Sequence, residues 1–106
     1  MPIRFRNRRQ LEDHYLSHRS EFDSIPHTET EYEESASRFA LRPLCDTMRR
    51  DIRPFDRATI TWDRATHEFV IVTQDSYLAT YMILDPKWHG FASNRAYYEW
   101  QLRRKQ

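Results

Sequence analysis

The sequence is short of several things at once. It has one cysteine, Cys45, so no intrachain disulfide and no cysteine-based metal cluster can form. It has one glycine, Gly90, so the turn expected at Gln74-Asp75-Ser76 is made without one. Lys87 and Lys105 are the only lysines among 17 basic residues, and the formal net charge is only +1, which excludes a polycation. No apolar run approaches the length that spans a membrane. The N-terminal Met1-Pro2-Ile3-Arg4-Phe5-Arg6 carries charge without an apolar stretch and does not read as a signal peptide, so the expected location is the cytoplasm.

What remains is a chain of 106 residues, the size of one domain, expected over 1–106. Hydrophobic residues make up 39% and charged ones 31%, so the core must lean on the 14% that are aromatic. The positive charge is nearly all arginine, whose fork matches phosphate and carboxylate. It is unevenly placed: Arg4, Arg6, Arg8 and Arg9 crowd one end, while Glu29, Glu31, Glu33 and Glu34 form an acidic run.

Periodicity divides the chain. Residues 1–7 read as an unfixed arm. A helical part follows over 8–42. Leu11, Tyr15, His18 and Phe22 share one helical face, and Asp23-Ser24-Ile25-Pro26 stops that helix. Thr28-Glu29-Thr30-Glu31 is a capping box opening a second helix with Tyr32, Ala36, Phe39 and Ala40 inside, ended by Arg42-Pro43. The sheet is expected over 44–84, with Leu44–Arg50 a first short strand. The period-two segments Ala58–Trp62, Glu68–Thr73 and Tyr77–Leu84, joined by short turns, then make an antiparallel meander. A loop at Lys87–Ala92 leads to a helix over 93–104, capped by Ser93. The expected fold is α+β, with N-terminal helices packed on a three- to four-stranded antiparallel meander and a short C-terminal helix.

His14 and His18, at i, i+4 spacing, project from neighbouring turns. Three readings are open: a zinc site completed by His89 or His67, general acid–base catalysis, or plain packing. Thr80 and Tyr81 fall in the middle of the last strand, where alternation sends them to opposite faces. Trp88-His89 could form the lip of a cleft, and Arg95, Arg103 and Arg104 could hold phosphates. Metal-free RNA cleavage needs a base, an acid and a donor for the phosphorane, and histidine, hydroxyl and arginine side chains can supply all three.

The segment His14-Tyr15-Leu16-Ser17-His18-Arg19-Ser20-Glu21-Phe22 resembles the opening helix of the colicin D-like, contact-dependent inhibition and Rhs polymorphic-toxin C-terminal domains. Thr30-Glu31-Tyr32-Glu33 resembles their second helix, and Thr61–Phe69 and Leu78–Met82 their strands. Asp85–Gly90 and Ser93–Tyr98 resemble their tail, so the likeness runs in order over residues 10–101. Ser17 stands where the family has a lysine, Arg19 and Asp23 where it has glycines, and Met82 where it has Lys or Arg. The resemblance implies a barnase–colicin–RelE-like fold and a metal-independent, cofactor-free endoribonuclease acting on RNA, tRNA among the candidates. It implies His18 as the catalytic histidine, as general base or acid, and Thr80, with Tyr81 beside it, as the contact to the scissile phosphate. With the candidates read from the residues, the expected catalytic set is His18, His14 and Thr80, and the expected substrate-binding set is Arg19, Tyr81, Trp88, His89 and Arg95. An immunity or antitoxin protein would be a partner, and a membrane would not. The alternative is a non-catalytic binding or regulatory protein on the same fold.

Overall fold

The computed structural model describes residues 2–22 and 26–105. A five-stranded sheet lies at its centre, in the order β1-β5-β4-β3-β2: β1 Arg4–Phe5, β2 Met48–Ile52, β3 Thr59–Asp63, β4 Glu68–Val72 and β5 Tyr77–Ile83. The expected meander is present as β2 to β5, antiparallel throughout. The fold is α+β as expected, but the sheet is mixed, because β1 pairs in parallel with β5.

That pairing corrects the expectation of an unfixed arm. The Ile3 N–H donates to Ser37 Oγ at 2.8 Å and the Phe5 N–H to Glu33 Oε2 at 3.0 Å. Both partners lie on the second helix, about thirty residues away, so nothing local in Arg4-Phe5 announces a strand. Phe5 is buried, and Arg6 closes the arm on Asp75 with an ion pair at 3.0 Å.

Helix α1, Arg8–His18, starts where Asn7 Oδ1 accepts the Gln10 N–H at 2.9 Å. It ends earlier than its apolar stripe, tightening into a 3-10 turn over Arg19–Glu21, so Phe22 lies beyond the helix in extended backbone. The expected stop at Asp23-Ser24-Ile25 lies outside the described residues. Helix α2, Glu29–Leu41, follows the capping-box expectation: Thr28 Oγ1 accepts the Glu31 N–H at 3.1 Å. The return bond from Glu31 goes to the His27 N–H rather than to that of Thr28. Tyr32, Ala36 and Phe39 are fully buried, as the pattern predicts.

β2 begins at Met48, not Leu44. Residues 45–48 form a turn closed by the Met48 N–H on Cys45 O, and Leu44, ahead of it, is exposed. β2 is charged because Arg50 works across it. Its guanidinium binds Thr61 Oγ1 and the carbonyls of Ala40 and Arg42, placing a cation on the C-terminal end of α2.

The loop expected after the sheet holds a short helix α3, Pro86–His89. Asp85 caps it, Pro86 occupies its first turn, and Gly90 ends it at φ +76°. Elsewhere the scarcity of glycine has a cost. Arg57, His67 and Ser76 take positive φ at turns, each at about 1–2 kcal/mol relative to ordinary backbone.

The final helix α4, Asn94–Arg103, is capped by Ser93 as expected. It covers the opposite face of the sheet from α1 and α2. Val70, Leu78 and Tyr81 pack toward Tyr15, Tyr32 and Phe39, whereas Phe69, Ile71 and Met82 pack toward Tyr97 and Tyr98. Successive residues of β4 thus feed two cores, which explains why that strand reads as a continuous apolar run. No helix among the described residues is long and apolar enough to cross a membrane.

Candidate active site

α1 lies over β1 and β5, and its C-terminal half carries the two histidines. Their rings stack at 5.8 Å between centroids with 26° between planes, and Phe5 of β1 stacks on His14 at 5.3 Å. The arm therefore forms one wall of the site.

Each histidine is held at Nδ1 by a different group. Thr80 Oγ1 lies 3.3 Å from His14 Nδ1. The pairing register skips Ala79 beside Thr80, a bulge of the kind that re-aims side chains, and the Thr80 hydroxyl reaches α1. His18 Nδ1 lies 2.8 Å from Glu21 Oε2, and Glu21 Oε1 accepts the Ile83 N–H at 3.1 Å. Glu21 thus joins the 3-10 turn to the open edge of β5. A carboxylate accepts only, so a neutral His18 carries its proton on Nδ1 and offers a lone pair at Nε2. His18 and Glu21 are about one-fifth exposed at their side chains, reachable yet shielded.

Burial holds His14 below the ordinary imidazole value, with a further push from His18 and an opposing pull from Asp13. The folded chain thus binds this proton less readily than the unfolded chain. Stability from this group is present above about 6.5 and is lost as pH falls through His14's folded value. An NMR titration is expected to place the His14 midpoint below that of a free imidazole. His14→Gln is expected to flatten the acid-side decline in stability.

The structure brings together His14, His18 and Thr80 out of the sequence-predicted set. Tyr81 is not with them: it is buried in the core among Phe22, Tyr32 and Phe39, with its hydroxyl donating to Glu68 Oε2 at 2.6 Å. Burial and Glu68 push its phenol far above the usual range, so it stays neutral. Arg19 lies with its guanidinium 5.1 Å over the Tyr15 ring. Arg95 is exposed on α4, in the layer on the other face of the sheet.

Trp88 and His89 form a second group. The Trp88 indole N–H donates to Ile83 O at 3.2 Å, so one residue of β5 ties Glu21 through its N–H and Trp88 through its carbonyl. Between them opens a groove of about 380 Å³, lined by Glu21, His67, Ile83, Trp88 and Asn94 among others. A larger opening, about 620 Å³, lies by Asp56 and the Thr73–Asp75 turn and has no histidine in its lining.

Sequence reasoning about the site missed Glu21 and Asn94, and offered His67 only as a zinc ligand. The i, i+3 spacing of His18 and Glu21 was a usable signal for the first; nothing local marks Asn94. Among the described residues no group of three His, Cys, Asp or Glu side chains is arranged to hold a metal ion, so the zinc reading lacks its further ligands. No protein-family model matches the chain, and no curated protein matches it either.

Proposed function

We propose that this protein is a toxin-like, metal-independent endoribonuclease, with tRNA or another cellular RNA as substrate, acting in the cytoplasm. One observation carries the reading. Two imidazoles stack on one face of α1, and each is oriented at Nδ1 by a separate partner, Thr80 for His14 and Glu21 for His18. Cleavage by the 2′-hydroxyl requires one group to take a proton and another to give one. In the proposed division neutral His14, its Nδ1–H donating to Thr80 Oγ1, removes the 2′-hydroxyl proton at Nε2, and the oxygen attacks phosphorus. His18, entering as the imidazolium with Nδ1–H on Glu21, gives its Nε2 proton to the departing 5′-oxygen. The products are a 2′,3′-cyclic phosphate and a free 5′-hydroxyl, and the proton balance needs no added reagent. Thr80 and Glu21 act as positioning residues, in the way a carboxylate fixes the tautomer of a catalytic histidine. An immunity or antitoxin protein covering this face belongs to the same proposal.

One observation favours the second reading, a non-catalytic binding protein on the same fold. Arg19 is laid over Tyr15 and Arg95 is on the far layer, so phosphate charge would be met by Arg19 only after it leaves that ring. The deciding experiment is incubation of purified protein with total RNA in the presence of a chelator. Cleavage supports the nuclease; bound but intact RNA supports the binding protein.

A further inference from the structure

The groove beside Glu21 has a hydrogen-bonding pattern that can be worked out from one fixed donor. The Phe91 backbone N–H donates to His89 Nδ1 at 3.0 Å, so the neutral His89 ring carries its proton on Nε2. That Nε2 lies 2.9 Å from Asn94 Oδ1 and donates to it. The Asn94 amide nitrogen must then donate onward, and it faces Leu84 O at 3.2 Å and His67 Nδ1 at 3.3 Å. His67 Nδ1 is therefore an acceptor, and the neutral His67 presents Nε2–H as a donor. His67 is exposed and sits at φ +67°, held by β4, α3 and α4 through this chain.

The other polar groups of the lining are the carboxylates of Glu21 and Asp85, and no lysine or arginine is among the lining residues. A phosphate is unsuited to such a wall. Trp88 adds an aromatic surface, 45% exposed, with its ring fixed by the Ile83 carbonyl and by edge contacts to His89 and Tyr97. The volume falls in the range of small-molecule sites. A flat ring with adjacent N–H donors on one edge and acceptors on another matches this wall. Guanine has that pattern, with O6 and N7 as acceptors and ring and amino N–H groups as donors.

We infer that the groove is a guanine-binding site, with the base stacked on Trp88, its donor edge toward the Asp85 and Glu21 carboxylates and an acceptor toward His67 Nε2–H. The inference rests on the ribonuclease reading only in taking the ligand to be RNA: the base would lie next to the scissile bond, because Glu21 borders both the groove and His18.

The test is a titration of the isotope-labelled protein with guanosine, adenosine, cytidine and uridine, followed by NMR. Guanosine is expected to shift the Trp88 indole, the Asn94 side-chain amide and the His67 ring, and to bind about fivefold or more tighter than uridine. Trp88→Ala and His67→Gly are each expected to weaken guanosine by about fivefold or more. His67→Gly suits a positive φ, so the backbone there is kept. Guanosine shifting none of these signals, binding no better than uridine, or binding both folded variants as it binds wild type overturns the inference. Nucleosides lack the scissile phosphate, so the result is independent of cleavage. RNA cleaved without guanosine binding sinks the groove site alone, and guanosine bound by a protein that cleaves no RNA sinks the nuclease alone.

Discussion

His18→Ala is expected to lower RNA cleavage by about 10²–10⁴-fold, the range for loss of a positioned acid or base, while the protein stays folded. His18 stacks on His14 and holds Glu21, but it lies at the end of α1 with its side chain partly open. Its removal therefore leaves both cores intact. Glu21 keeps its bond from the Ile83 N–H, so the 3-10 turn stays anchored to β5. Cleavage of a defined RNA under single-turnover conditions, beside a thermal melt of the same sample, separates the two effects. A large rate loss with an unchanged melt is the expected pair of results. Thr80→Val is expected to give a smaller loss, since His14 remains but loses its orienting hydroxyl.

The largest stability effect is expected from Tyr32→Ala. Tyr32 is fully buried in α2, where its ring meets Phe5, Tyr15, Phe22 and Tyr81, and its hydroxyl donates to the Tyr81 carbonyl. Burial and nearby Glu21 push its phenol far above the usual range, so it remains a donor. Truncation removes a ring from the centre of the α1–α2 core and leaves a cavity, at about 3–5 kcal/mol. It also strands a carbonyl on the open edge of β5, which costs more if water cannot enter. A domain of this size has about 5–15 kcal/mol in all. The expected outcome is a fall in melting temperature of more than about 10 °C, or no folded protein. Tyr32→Phe separates the parts: it keeps the ring and loses only the hydroxyl, so its cost is expected near 1–3 kcal/mol. Urea denaturation of the two variants checks both numbers.

The parts of the fold that were legible are those decided locally. α2 is written in Thr28, Glu31, the spacing of Tyr32, Ala36 and Phe39, and Pro43. The strands from Thr59 to Ile83 are written in alternation and β-branching. β1 was illegible because two residues carry no period, and its partners Glu33 and Ser37 come from another element. The layer taken by α4 was hidden too, since an aromatic stripe says that a face is buried but not against which side of a sheet. The short helix at Pro86–His89 could have been read, because Asp85 and Pro86 are a cap and a first-turn residue.

The site divides in the same way. His14 and His18 were marked by their spacing within one helix. Thr80 is 66 residues from His14 in sequence and meets it through a bulge that alternation does not foresee. Tyr81, next to Thr80, was expected at the substrate through the family resemblance alone and instead fills the core. His67, Asn94 and Trp88 line one groove only because a turn after β3, a helix start and a four-residue helix converge there.

The most direct test of the histidine site is the chemistry of the cut ends. Wild-type protein incubated with tRNA and excess chelator is expected to leave 2′,3′-cyclic phosphate and 5′-hydroxyl ends, and His18→Ala is expected to leave the RNA whole. Intact RNA with folded wild-type protein, cuts that leave 3′-hydroxyl ends, or equal cleavage by folded His18→Ala would contradict the assignment.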